Sequence, residues 1–485
     1  MNLEIDKKKY IDLNRSEYGD LYPTFRFPTE AESRDYGAER EQLLGRLSPH
    51  VRWDYQRTKA DTTRMSPGCR LCGDGYWSCL FVNNRCNAAC FYCPARQTGQ
   101  ALPGTSSLDF PEPEDYADYV QALGFRGVSI SGGEPLLDFA KSVRFIEVLR
   151  KRFGKELYLW LYSNGICADK EKLQILAGAG LDEIRFDISA TAYSLAKVAW
   201  AAGIIPHITV EIPAIPEDVE IVQNLLPQMV NIGVNYLNLH QIRVTRHNAP
   251  QLIARGYTFL HGPKITVLES ELTALRLLLH AREKRIALPI NYCSFIYRHR
   301  FQTGAARRRH AALIKQSYED ITEAGLIRTM GSMAVPDRIQ YLTDQLSAAN
   351  IAPENWYYSP AKSTLYFSQA VLKVIFPLLD NLHLDYHVSL LLPSVSYRRS
   401  FREIALNERR VVIVERAPVL ADIELNPVEM RLFYDTFVKI PARRDLYRVI
   451  EEPEEPHVLS AQDLAEHWRD IYFYEKIKTG LYEYY

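Results

Sequence analysis

Between residues 78 and 291 the chain alternates short apolar, β-branched runs with longer amphipathic stretches. The runs are SCLFVN (78–83), GVSIS (127–131), LYLWLY (157–162), EIRFDIS (183–189), IIPHITVEIP (204–213), YLNLHQI (236–242) and IALPIN (286–291). Each has the length and apolar character of a buried strand. Stretches between them, such as FAKSVRFIEVLRKRFG, repeat apolar positions at helical spacing. This alternation predicts parallel βαβ units, and six or seven in succession predict a full or partial (β/α) barrel. An open doubly wound sheet is the competing arrangement.

From about residue 320 the spacing changes. GLIRTMGSM, PDRIQYLTDQLSAAN, STLYF, SQAVLKVIFPLLDNL and DYHVSLLL read as β-α-β-α-β, followed by a strand at RVVIVE and a helix at PVEMRLFYDTF. The expected fold class is therefore α/β, with a smaller C-terminal α+β domain. The expected division is an N-terminal extension over 1–68 with one helix around 32–46, the barrel over 69–310 and the α+β domain over 320–450. A linker (EEPEEPH) and a C-terminal helix starting near Ser460, a suitable N-cap, fill 451–485.

Composition narrows the functional classes. The chain has 485 residues, 47% of them hydrophobic, and a formal net charge of −1. That neutral balance gives no support to a nucleic-acid or membrane-surface partner. No apolar run long enough to span a bilayer occurs, and the first twenty residues lack the apolar segment of a secretory signal. A cytoplasmic location is expected, where cysteines serve as metal ligands or free thiols more often than as disulfides. Six of the eight cysteines fall between residues 69 and 93.

Cys86, Cys90 and Cys93 form C-x3-C-x2-C just beyond a predicted strand. A closed zinc site wants four ligands, whereas a [4Fe–4S] cube held by three thiolates keeps one iron open. A second group, Cys69, Cys72 and Cys79, precedes them as C-x2-C-x6-C. It suits zinc or an auxiliary iron–sulfur cluster, with free buried thiols as the alternative. Cys79 at the start of a strand and Cys86 beyond its end would stand roughly 20 Å apart, placing a site at Cys79 near the opposite end of the barrel.

CNAACFYC followed by GGEP (132–135) resembles the radical S-adenosylmethionine (radical SAM) superfamily. The run from Cys69 to Cys93, with VEIPAIP and NYCSFIYRHRFQ, is further similar to iron–sulfur proteins related to pyruvate formate-lyase activating enzyme. The resemblance implies a barrel of the radical SAM type. It implies a [4Fe–4S] cluster on Cys86, Cys90 and Cys93, with SAM on its open iron. It places Gly132, Gly133 and Glu134 at the methionyl group of SAM, Ser163 and Asn164 at the ribose, and Tyr92 beside the adenine. Arg185, Asp187, Ser189 and Glu211 are weaker cofactor contacts, and for Arg185 and Glu211 a strand-end ion pair is the other reading. The implied partners are an electron donor such as flavodoxin or ferredoxin and a small-molecule or peptide substrate. The implied activity is hydrogen abstraction by a 5′-deoxyadenosyl radical. An activase that installs a glycyl radical on a partner and a non-catalytic iron–sulfur protein are the alternatives.

Cys293 and the basic run YRHRFQTGAARRRH (297–310) follow the last predicted barrel strand. Cys293 is expected at the SAM end, away from Cys69, as a hydrogen-atom donor, a cluster ligand or packing. Arg298 is favoured over Arg300 as an anion contact, and a solvated helix face is the other fate of the run.

Overall fold

The computed structural model describes residues 3–99, 101–439 and 467–485. These form two compact units, one made of residues 3–302 and 479–485 and the other of residues 303–439 and 467–478. The linker EEPEEPH and the start of the last helix at Ser460 lie outside the described residues. The chain is helical over His467–Glu475.

Each of the seven predicted runs of the first unit overlaps a strand, although IALPIN does so only at Ile290 and Asn291 and IIPHITVEIP only from His207. The strands are β3 (Trp77–Phe81), β4 (Gly127–Ser131), β5 (Tyr158–Ser163), β6 (Glu183–Phe186), β7 (His207–Pro213), β8 (Tyr236–His240) and β9 (Ile290–Cys293). Each is parallel to the next, and their order in the sheet is their order in the chain. A doubly wound sheet reverses its strand order partway across. This sheet does not, so it is a partial barrel. It is open, because other segments occupy both edges. Gly104–Thr105 lies antiparallel to β3, while β2 (Lys59–Asp61) lies antiparallel to β9, with β1 (Arg52–Asp54) beyond it.

The region expected as an N-terminal extension is therefore partly barrel wall. It also holds two helices rather than one, α1 (Leu3–Tyr18) and α2 (Glu30–Leu47). α2 starts on a capping box in which Thr29 and Glu32 bond each other's backbone N–H. α1 has no sustained apolar stripe. It is held from a distance, by Asn14 Nδ2 to Gly262 O (2.8 Å) and Tyr18 Oη to Val244 O (2.9 Å). α3 (Pro67–Gly73) carries Cys69 and Cys72 and packs against β3, β4 and β5. Gly68 is required there, since a Cβ would meet Arg185, Glu183 and Trp160 inside the barrel.

In the second unit an antiparallel sheet packs on helices Pro336–Ala348, Gln369–Ile375 and Pro427–Phe433. Its core gathers Met330, Leu342, Phe367, Leu384, Phe433 and Ile471. The β-α-β-α-β reading stands, with three further strands at Asp320–Ile321, Trp356–Ser359 and Phe401–Asn407. All three are partly exposed, so they lack the apolar run that marks a buried strand. Among the described residues no helix is long and apolar enough to cross a membrane.

Candidate functional site

The loop carrying Cys86, Cys90 and Cys93 leaves the C-terminal end of β3 and is docked on the turn after β4 by backbone contacts. Glu134 N donates to Arg85 O (2.7 Å), and Gly133 N donates to Asn83 O (3.3 Å) and to Asn83 Oδ1 (3.2 Å). Asn83 Nδ2 reaches Glu134 O and Asp138, and Arg85 pairs with Asp138. The glycines serve this approach of chain to chain. A Cβ on Gly133 would stand 1.9 Å from Arg85 O, and one on Gly132, which has φ +137°, would stand 2.5 Å from Asn83 O. A Gly133→Val variant is therefore expected to displace the cysteine loop and lower iron content together with SAM affinity. Iron per chain and SAM binding by calorimetry measure both; loss of SAM affinity at full iron loading would mean that Gly133 acts on SAM alone.

Glu134 is buried and spans the next strand end. Its Oε1 accepts from Ser163 Oγ (3.0 Å) and Leu136 N, and its Oε2 accepts from Asn164 N (2.7 Å). Burial raises its pKa against these three donors. Asn164 turns its amide onto the cysteine loop, donating to Asn87 Oδ1 (2.8 Å) and to Cys86 Sγ (3.6 Å). Asn87 in turn donates to Cys167 Sγ (3.2 Å), which brings that thiol to the same edge. On the other side Tyr92 Oη bonds Asp187 Oδ2 (2.9 Å) and Ser189 Oγ (2.5 Å). Burial raises the Asp187 carboxyl, opposed by those hydroxyls. Eight predicted residues besides the three thiols thus fall into one edge: Tyr92, Gly132, Gly133, Glu134, Ser163, Asn164, Asp187 and Ser189.

The three thiols are partly buried. Burial and the neighbouring thiols push Cys90 up to about 11 and raise Cys93 as well. A group that holds them as thiolates must supply positive charge. Among the described residues no three His, Cys, Asp or Glu side chains converge closely enough for a single ion. A tetrahedral zinc with bonds of about 2.3 Å would draw its sulfurs to within ~4 Å of each other. An iron–sulfur cube, whose ligands attach at separate corners, does not impose that closeness. The donor set of one loop fits the cube better than a lone ion.

A second cluster lines the barrel interior. Arg185 Nη1 bonds Glu211 Oε2 (2.7 Å), its Nε pairs with Glu183, and its guanidinium lies over Trp160 and Tyr162. Arg185 and Glu211 therefore form an internal ion pair rather than joining the edge around the thiols. Glu211 also meets Asn238 Nδ2 (2.9 Å) and His240 Nε2 (2.6 Å). Asn238 Nδ2 reaches Cys69 Sγ at 3.3 Å.

The placement of Cys293 and of the first cysteine group differs from expectation. Cys293 is the last residue of β9, at the C-terminal edge where it was expected, but it shares the surroundings of Lys59 with Cys69 and Cys72 and so is not remote from Cys69. The reason is that α3 packs its cysteines against the inward face, to which β9, only four residues long, also turns Cys293. Cys79 is mid-strand in β3 with Ser129 and Ser131 as its side-chain partners, not at the far end. Burial pushes Cys72 up to about 12 and Cys79 up to about 11. In the basic run Arg307 and Arg308 bond the carbonyls of Ala324 and Glu323, and Arg300 bonds Gly480 O. Arg298 stands among the charges around Cys293.

Sequence reasoning missed Lys59 and His240. His240 had a signal: in YLNLHQI, Asn238 and His240 are polar at alternate positions of an otherwise apolar strand, the mark of a polar inner face. Lys59 had none, because its strand lies in a polar stretch.

Residues 80–199 match the radical SAM superfamily. Over 278 residues the chain is 28% identical to a protein of Methanocaldococcus jannaschii named as a candidate glycyl-radical enzyme activating enzyme, covering 54% of this chain and 72% of that protein. It is 30% identical over 127 residues to a GTP 3′,8-cyclase of Rhodopirellula baltica, covering 26% of this chain and 34% of the cyclase. Among solved structures it is similar to SuiB of Streptococcus suis bound to S-adenosylmethionine. That likeness has 9% identity and a TM-score of 0.35, with 59% of this chain and 60% of SuiB covered. A likeness of that size carries no weight for function.

Proposed function

From the premise that residues 80–199 are a radical SAM domain and that the chain is an enzyme of that superfamily, we propose that Cys86, Cys90 and Cys93 hold a [4Fe–4S] cluster whose open iron binds SAM. The observation that carries this reading is the docking of the three-cysteine loop on the Gly132–Glu134 turn, at the C-terminal edge where barrel enzymes work. When bound, the cluster supplies the electron for reductive cleavage of SAM to a 5′-deoxyadenosyl radical that abstracts a substrate hydrogen.

The protein's part is positioning. Glu134 ties the ends of β4 and β5 together through Ser163 and Asn164, so the edge nearest Cys86 is rigid. Tyr92, braced by Asp187 and Ser189, fixes the far side of the loop. The polar interior of the barrel, lined by Arg185, Glu211, His240 and Cys293, then receives a small-molecule or peptide substrate. A flavodoxin or ferredoxin supplies the electron.

The test is anaerobic reconstitution with iron and sulfide, reduction, and addition of SAM. Formation of 5′-deoxyadenosine is expected, and none from a fully loaded protein would overturn the reading in favour of a non-catalytic iron–sulfur protein. The relative from Methanocaldococcus jannaschii favours a second reading, activation of a partner enzyme. A glycyl-radical EPR signal on a co-incubated partner would select it.

A further inference from the structure

The interior cluster holds more chemistry than a radical enzyme's frame needs. Cys293 is the last residue of β9 and is flanked across the sheet on both sides at its own level. His240 of β8 is its register partner on one side and Lys59 of β2 on the other. His240 Nε2 is bound to Glu211 Oε1, while Nδ1 is buried without a hydrogen-bond partner, and the ring and the Cys293 thiol are close enough to perturb each other's charge. Lys59 is 2% exposed and, among the described residues, makes no ion pair with a carboxylate; its ammonium rests 4.1 Å over the Tyr297 ring.

We infer that Cys293 is a nucleophile of the barrel interior, with His240 as its proton partner, Glu211 orienting that imidazole, and Lys59 placed to take negative charge from an electrophilic carbonyl group. The inference rests on the reading that the barrel interior is the substrate chamber. In the step, Cys293 Sγ bonds to the carbonyl carbon. The C=O π pair moves to the oxygen beside Lys59, and that oxygen takes the proton of His240 Nδ1. The product is a thiohemiacetal and a neutral imidazole, and reversal releases the substrate. The substrate class is thus an aldehyde or another activated carbonyl compound held covalently while its hydrogen is removed.

The electrostatics agree. Burial alone would raise the Cys293 thiol, but Lys59, His240 and Arg298 outweigh it and bring it to about 6. Burial also works against the His240 imidazolium, and Glu211 with Cys293 outweighs that, lifting it to about 9. The other groups near Cys293 are Cys72 of α3 and the hydroxyl of Tyr297, with Cys69 sharing Lys59, whereas the Tyr292 hydroxyl lies on the other face of the strand and bonds Glu271.

The test is the pH profile of Cys293 alkylation by iodoacetamide, followed by peptide mapping in the full-length, cluster-loaded enzyme. A midpoint near pH 6 is expected, against about 8.5 for an ordinary thiol. Lys59→Met and His240→Gln should each lower the rate at pH 7 by about tenfold, and Lys59→Arg should restore most of it. An ordinary midpoint, no alkylation at any pH, or unchanged rates in both variants would overturn the inference. The wild-type profile decides even if a variant fails to fold. Because alkylation does not use SAM, its outcome is separate from that of the 5′-deoxyadenosine assay.

Discussion

Replacing Cys86, Cys90 and Cys93 together by alanine is expected to lower 5′-deoxyadenosine formation more than ~10³-fold, a loss of about 4 kcal/mol of barrier lowering. The fold should survive. The loop is anchored by Asn83, Arg85 and Tyr92, none of which uses a thiol as its main partner. Circular dichroism should therefore match the parent while iron binding and SAM cleavage disappear. Retained cleavage would remove the three thiols from the proposed role. The same substitution at Cys69 and Cys72 should leave 5′-deoxyadenosine formation intact, since those thiols belong to the interior cluster around Lys59.

Arg185→Met is expected to be the most destabilising single change in the barrel, by about 3–5 kcal/mol, because it strands two buried carboxylates. Arg185 is 3% exposed, and its guanidinium is shared between Glu183 and Glu211. At a few degrees per kcal/mol the melting midpoint should fall by about 10 °C. The pH dependence gives a second measurement. Burial opposes ionisation of Glu211, but Arg185 and His240 outweigh it and hold the carboxyl well below the usual carboxylate range. A depressed folded value contributes stability that is present above the unfolded value of about 4.3 and is lost as pH falls through the folded one. In Arg185→Met the stranded carboxyls regain stability when protonated. The gap between parent and variant should therefore narrow as pH drops below ~4, as read by thermal melts across pH. A constant gap would mean that Arg185 acts by packing on Trp160 and Tyr162 rather than by charge.

The succession of barrel strands along the chain was legible because each buried parallel strand is a short apolar run, but only the pairing showed that they keep that order across the sheet instead of reversing as in a doubly wound fold. The thiol loop and the turn that cradles it were legible for a related reason. Their chemistry needs particular residue types at short spacing, and short spacing is what a sequence displays directly. CNAACFYC and GGEP announce themselves, and the edge residues Ser163, Asn164 and Asp187 follow because they end successive strands.

What lay hidden depends on side chains brought together from distant segments. Lys59 reaches Cys293 only because β2, out of a polar stretch with no periodic signal, pairs antiparallel with the last barrel strand. The glycines of GGEP read as space for a ligand, yet their closest contact is the backbone of Asn83 and Arg85, a distance no local pattern encodes. Cys69 and Cys72 look like half of a metal site in the sequence. Folding places an ammonium among them and gives Cys69 an asparagine amide. The sequence by itself determined the succession of barrel strands along the chain and the three-thiol loop, which follow from local periodicity and spacing. Only the tertiary structure decided which buried charges face one another, because that is set by register across the sheet and by the helix packed against it.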